Sequence, residues 1–290
     1  MKGDGMFKKA LDELFEAARF NPVLWLALRH EHPSQADLER FERRARRIAY
    51  LLALILAVPS VIDLRSFPTF LQLWFFAFVI TYALGFGADA AYILAARFGN
   101  QIRSEFWEAL RLTPLPSAAI VTGKYMSGQL RTWRGLVLES VLRQLVAAAL
   151  IFALIGISLR GGLSLLLCSA WLFIIPFAVG GYLYAAEPLW RMRAVVALSF
   201  AAILHIRDEW LAVIGAIGAA FAIRLAQIAF LISLPAQNEL IDQWYRSGNL
   251  LFISSPLLYV VVIYGLFYGV YRRLSVWAIE IAVRRTERGE

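Results

Sequence analysis

The sequence predicts an all-α integral membrane protein with six transmembrane helices, and three observations carry that expectation. Hydrophobic residues make up 60% of the 290 and charged residues 17%, with a mean hydropathy of +0.63, against about 45–50% and 25% in soluble domains. Six apolar stretches approach or reach the roughly 17–25 residues that a helix needs to cross a hydrocarbon core of about 30 Å with its backbone bonds satisfied internally. The 29 Lys and Arg are divided unevenly between the connections that join those stretches.

The chain up to residue 47 is read as a cytoplasmic or interfacial region. Its first 30 residues hold no apolar run ahead of a small-residue cleavage site, so no signal peptide is expected. Phe7, Leu11, Leu14, Phe15 and Ala18 recur at helical spacing opposite Lys8, Lys9, Asp12, Glu13 and Glu16, which predicts an amphipathic helix lying in the headgroup layer. A second polar helix is expected after Ser34, with Asp37 three residues on in the position of a capping box. Its arginines at 40, 43, 44, 46 and 47 read as a membrane-surface anchor, because no aromatic interleaving supports nucleic-acid binding.

The spans follow at 48–64, 70–95, 136–159, 163–186, 211–234 and 250–271. A seventh apolar run, 194–206, has 13 residues between Arg191, Arg193 and Arg207, and its length suits an interfacial or re-entrant helix better than a span. On the six-span plan, 24 Lys and Arg fall on the side of the two termini and only Arg65, Arg160 and Arg246 on the other, with Arg143 and Arg224 inside spans. Positive residues gather on the cytoplasmic side, so both termini are expected in the cytoplasm of a multi-pass protein of the cell membrane. A seven-span alternative would put the basic tail, 272–290, outside.

Candidate chemistry is sparse. The polar groups at membrane depth are Asp89, Glu139, Arg143, Arg224 and Gln227, with His205 at the edge of the short run. Each is costly there and is a functional candidate by default. Glu139 and Arg143, one turn apart near the cytoplasmic end of their span, are expected to pair, and Asp89 and Arg224 to pair between the second and fifth spans. Cys168 is the one cysteine, which excludes an intramolecular disulfide and a Cys-based metal framework. His30 and His32 flank Glu31 but point apart on a helix, so no metal site is expected. The Gly-x-Ser patterns at 156–158 and 162–164 do not continue into a nucleophile elbow. Gly123 and Lys124 lack the first glycine and the Ser or Thr of a nucleotide-binding loop, since Ala118 and Tyr125 stand there.

The cytoplasmic segment 96–135 is too patterned for a plain connector. Ile102, Phe106, Ala109, Leu110 and Leu112 form the apolar face of a short helix that displays Arg103, Glu105, Trp107, Glu108 and Arg111 and stops at Pro114 and Pro116. A second helical stretch is expected from near Ser117. Docking on another protein and resting on lipid are both open for the short helix.

The run Phe106-Trp107-Glu108-Ala109-Leu110-Arg111-Leu112-Thr113-Pro114-Leu115-Pro116, followed by Ile120 and Gly123-Lys124, resembles the cytoplasmic signature of ABC-2 type transporter permeases. Asn21-Pro22-Val23-Leu24 with Leu28-Arg29 is similar to the opening elbow of that family. Phe106 replaces the family's usual Thr, Glu105 its Gly, and Gln101 falls near its upstream Glu. The resemblance implies the permease subunit of an exporter that binds no cofactor itself, dimerises with a second copy or a sister permease, and docks on a separate ABC ATPase carrying ATP and Mg. The short helix would be the coupling helix, inserting Arg103, Glu105, Trp107, Glu108 and Arg111 into the ATPase. Competing readings are a membrane-embedded protease or lipid-modifying enzyme, and a membrane assembly protein without transport. No nucleic-acid partner is expected.

Overall fold

The computed structural model of the chain describes residues 6–31, 34–96, 112–160, 174–206, 208–233 and 255–288. Among them there is no strand, and eight α-helices follow one another: α1 (Met6–Phe20), α2 (Pro22–Glu31), α3 (Gln35–Ile62), α4 (Phe67–Ala96), α5 (Ser117–Arg160), α6 (Ile175–His205), α7 (Glu209–Ser233) and α8 (Ser255–Arg288). A single 3-10 turn, Leu64–Ser66, joins α3 to α4. Phe67–Ala96, Ser117–Arg160 and Glu209–Ala229 are long and apolar enough to cross a membrane. The predicted spans 163–186 and 250–271 lie partly outside the described residues, as does Cys168, and 48–64 covers the apolar end of α3.

Local signals account for the first helix starts. Asn21 accepts from the backbone N–H of Val23 and Leu24 at 3.0 and 3.2 Å and so caps α2, whose first residue is Pro22. Ser34 caps α3, accepting from Asp37 N–H at 3.3 Å while its hydroxyl donates to the Asp37 carboxylate at 2.7 Å.

The helices build a main core with a small second cluster at Ala53, Ala148 and Ala149, and the most extensive packing is α8 on α6 and α3 on α5. Within it the α1 face of Phe7, Ala10, Leu11, Leu14 and Ala18 is buried against protein, Phe7 meeting the edge of Trp133 on α5. The expected placement of that face in the headgroup layer is corrected: the amphipathic pattern is satisfied by α5 and its neighbours. The run 194–206 is corrected too. It is the second half of α6, a continuous 31-residue helix, and Ala194, Val195, Val196, Ala197, Phe200 and Ile203 are core residues. A 13-residue apolar run can be a buried core segment as well as an interfacial one, and here the core claims it.

The same continuity removes one expected connection and orders another segment. Residues 187–193 are helical in α6, and the basic tail is helical as far as Arg288, forming the last turns of α8 with Ala278, Ala282 and Thr286 buried. Residues 117–135 likewise belong to α5, whose 44 residues extend about 66 Å, more than twice the hydrocarbon thickness.

Contacts between distant elements define a polar end of the bundle. Glu13 of α1 pairs with Arg193 of α6 at 3.5 Å, and the Tyr125 hydroxyl of α5 donates to the Arg193 carbonyl at 3.1 Å. His205 at the end of α6 lies 3.4 Å from Arg285 near the end of α8. The first half of α5, the second half of α6 and the end of α8 therefore gather with α1 and α2. The exposed leucines and phenylalanines of α4, from Leu71 to Leu84, belong to the opposite, apolar part.

Candidate functional site

Four helices converge on a buried ion cluster. Asp89 comes from α4, Glu139 and Arg143 from α5, Glu187 and Arg191 from α6, and Arg224 from α7, all at 0–7% exposure. Glu139 and Arg143 are one turn apart, as are Glu187 and Arg191, so each helix brings a carboxylate and a guanidinium on one face.

The charges alternate. Arg143 donates to Glu139 at 2.7 Å and to Glu187 at 2.6 Å. Arg191 meets all three carboxylates, pairing with Asp89 and Glu139 through its terminal nitrogens and approaching Glu187 through Nε at 3.2 Å. Arg224 is held more loosely, 3.4 Å from Glu187 and 3.6 Å from Asp89. Three carboxylates thus face three guanidiniums, and each carboxylate has at least two arginine neighbours. Removing such charges from water costs several kcal/mol per ion, and only close pairing with further hydrogen bonds offsets that cost.

Tyrosines, an amide and main-chain carbonyls supply those bonds. The Tyr92 hydroxyl donates to Glu139 at 2.7 Å, and that of Tyr271, from α8, lies 3.1 Å from both Glu187 and Gln227. Arg224 donates to Gln227 at 3.1 Å and sits over the Tyr82 ring at 4.6 Å. Pro188 has no N–H, which frees the carbonyl four residues back, and Arg143 fills that role by donating to Tyr184 O at 3.2 Å. The next carbonyl, Ala185 O, accepts from the Ser140 hydroxyl at 2.7 Å. Arg191 donates to Gly85 O at 3.1 Å, and a Cβ on Gly85 would overlap the Arg224 guanidinium, so a larger residue there would displace that side chain.

Of the sequence-predicted candidates, Asp89, Glu139, Arg143 and Arg224 are brought together here, and Gln227 joins them. Glu139 and Arg143 lie in the middle of α5 instead of near a helix end. His205 is elsewhere, beside Arg285. Arg103, Glu105, Trp107, Glu108 and Arg111 lie outside the described residues. Glu187 and Arg191 were not among the sequence candidates, because a proline among charges reads as a connection. The repeated Glu-x-x-x-Arg spacing at 139–143 and 187–191 was the signal that could have found them.

The ions leave little room between them: a space lined by Asp89, Arg191 and Arg224 holds about 10 Å³, no more than one water needs. A larger space of about 370 Å³ lies on the far side of Gln227 and Tyr271. No group of three or more His, Cys, Asp or Glu among the described residues could hold a metal. What the arrangement can do is fix the relative positions of α4, α5, α6 and α7 at low dielectric, with Arg224 as the loosest tie.

Next to the cluster, on its apolar side, lies a cavity of about 490 Å³ between α4, α5, α6 and α8. Trp74, Phe78, Leu150, Phe177, Val260 and Tyr264 are among its walls, and Tyr184, whose ring lies 4.7 Å from the Arg143 guanidinium, is shared with the cluster. Trp74 is fixed by donating Nε1–H to Val146 O at 2.7 Å. The size and lining suit an apolar ligand.

At the polar end, two titrating groups on α3 are set by their neighbours. The hydrogen bond from the Ser34 hydroxyl holds the exposed Asp37 carboxyl below its ordinary value of 3.8. Burial pushes Glu42 above its usual 4.5, against the pull of Arg46.

The elbow at Asn21 is also built into this end. Asn21 Nδ2 donates to Ala119 O at 2.8 Å, and a Cβ on Gly123 would stand 2.7 Å from Asn21 Oδ1 and 3.0 Å from Val23 Cβ. No family model, no curated protein and no solved structure matches this chain.

Proposed function

We propose that this chain is the membrane-spanning subunit of an exporter of the ABC-2 permease kind, moving an apolar or lipid-like cargo and driven by ATP hydrolysis on a separate subunit. The observation that carries the reading is the contact between Asn21–Val23 and Ala119–Gly123. The two stretches that resemble the permease family, almost 100 residues apart, are built against each other at the root of the segment that would dock on the ATPase. The apolar cavity supports the cargo class by its size and its apolar lining. The ion cluster supports the idea of a rigid body that rocks as a unit, because helices tied by buried charge pairs move together. A second copy or a sister permease completes the pathway, and both termini face the cytoplasm on this reading.

Binding of the ATPase drives transport only if its contacts differ between two states of the permease. The test is affinity purification of the full chain from its native membrane in mild detergent, with an ATPase assay on the eluate. We expect an ATP-hydrolysing subunit to co-purify and to be lost from the variant E108K/R111E, with membrane insertion unchanged. An eluate free of ATPase, or an ATPase retained equally by the variant, overturns the assignment.

A further inference from the structure

The arginine run on α3 does not act as one unit. Arg46 turns inward, pairing with the buried Glu42 at 2.7 Å and lying over the Phe7 ring at 5.2 Å, so it clamps α1 to α3. Arg40 is engaged by Asp37 at 2.6 Å. Arg43, Arg44 and Arg47 are exposed and form no ion pair within 4 Å among the described residues; Arg43 donates to the Glu39 carbonyl at 3.3 Å and its charge also acts on Glu42. Their spacing of three and four puts them on one face of the helix.

That face continues without a break into aliphatic side chains. Leu51, Leu54, Ile55, Val58 and Ile62 follow at the same spacing and are 62%, 52%, 63%, 42% and 66% exposed. From Leu51 to Ile62 the helix rises about 16 Å, close to the roughly 15 Å of one leaflet of hydrocarbon. The stripe therefore changes from cationic to aliphatic where a phospholipid changes from phosphate to acyl chain.

We infer that this face of α3 binds anionic phospholipid, with Arg43, Arg44 and Arg47 on the phosphates and the acyl chains lying along Leu51 to Ile62. Nucleic acid would use the arginines but leave the adjoining aliphatic stripe in water, so the continuity of the two halves selects lipid. Guanidinium suits phosphate because its planar fork donates two parallel hydrogen bonds. The inference needs only that the protein resides in a membrane and does not depend on the transport reading.

The experiment reconstitutes the full chain in bilayers of equimolar phosphatidylglycerol and phosphatidylcholine with matched acyl chains. The protein is then extracted in mild detergent and the retained lipids are quantified. Wild-type protein is expected to enrich phosphatidylglycerol, and the enrichment to fall as salt is raised. One arginine near an anionic surface gives about a fivefold preference, so R43Q/R44Q/R47Q is expected to lower the enrichment roughly tenfold or more, while R43K/R44K/R47K keeps most of it. Equal retention of the two lipids by wild-type protein overturns the inference, as does unchanged enrichment in the glutamine variant. A co-purifying protein or duplex DNA bound through these arginines without lipid selectivity overturns it as well. Should the glutamine variant fail to fold, the salt titration of wild-type protein decides, and enrichment that ignores salt counts against the site.

Discussion

Arg191 and Arg224 carry the same charge into the same cluster, yet their surroundings give them different weights. Arg191 touches all three carboxylates and a main-chain carbonyl, whereas Arg224 reaches two carboxylates at 3.4 and 3.6 Å. Replacing Arg191 by methionine leaves Asp89 with only the distant Arg224, an uncompensated buried charge of the kind that costs about 3–5 kcal/mol. Replacing Arg224 by methionine leaves Glu187 with Arg143 and Tyr271 and Asp89 with Arg191, so a loss of about 1–3 kcal/mol is expected. Denaturant unfolding of the full chain in mild detergent reads the two directly, and equal losses would contradict the ranking. Adding D89N to R224M should restore part of the loss, a non-additivity that marks one coupled network. Sequence alone exposed four of the six ions. Asp89, Glu139, Arg143 and Arg224 stand out because they interrupt apolar runs, while Glu187 and Arg191 sit among Pro188, Trp190 and Arg193, where charge and proline argue for a connection. The deciding fact is a tertiary one: the carbonyl that Pro188 frees is taken by Arg143, from another helix.

Helix boundaries show the same division between local signals and tertiary ones. The starts at Gln35 and Ser117 were legible because Ser34 and Pro116 mark them chemically, whereas the start at Pro22, capped by Asn21, was not read from the sequence. The unbroken length of α6 was not, since its apolar stripe is interrupted at 187–193 by groups whose partners lie on other helices. Nor was the fate of the amphipathic α1, because an apolar helix face reads identically whether it meets lipid or α5. Packing between elements also creates a demand that no propensity scale records. Gly123 lies inside α5, where glycine weakens a helix by about 1 kcal/mol relative to alanine, so G123A would stabilise an isolated helix. Here the new methyl would stand 2.7 Å from Asn21 Oδ1 and 3.0 Å from Val23 Cβ. We expect G123A to cost about 1–3 kcal/mol by overpacking and to loosen α2 from α5. Faster hydrogen exchange at Val23 and Leu24 and a lower unfolding midpoint would both register it. A midpoint raised by the substitution would mean that the elbow does not dock where the structure puts it.

For the whole molecule, the arrangement of the two ends follows from contacts more firmly than from counting charges. The positive-inside tally treated Arg191 and Arg193 as free loop charges, but Arg191 is buried in the ion cluster and Arg193 bonds to Glu13 and, through its carbonyl, to Tyr125. The tally loses weight at that connection, while the geometry supplies a separate argument. Glu13 near the N-terminus meets α6 at Arg193, and Arg285 near the end of α8 meets α6 at His205. Arg193 and His205 lie on the same half of one helix, about 18 Å apart along it. A membrane cannot pass between α1 and the end of α8 without cutting through that buried core. On the proposed reading the two termini lie on one side, and the orientation we propose puts that side in the cytoplasm. In a variant with Cys168 replaced by serine, single cysteines at Lys9 and at Arg284, both exposed positions, should escape membrane-impermeant thiol reagents in intact cells. Both should react fully once the cells are opened. Labelling of both in intact cells would keep the bundle and reverse its orientation. Labelling of only one would break the shared polar end, and with it the docking of α1 on α6.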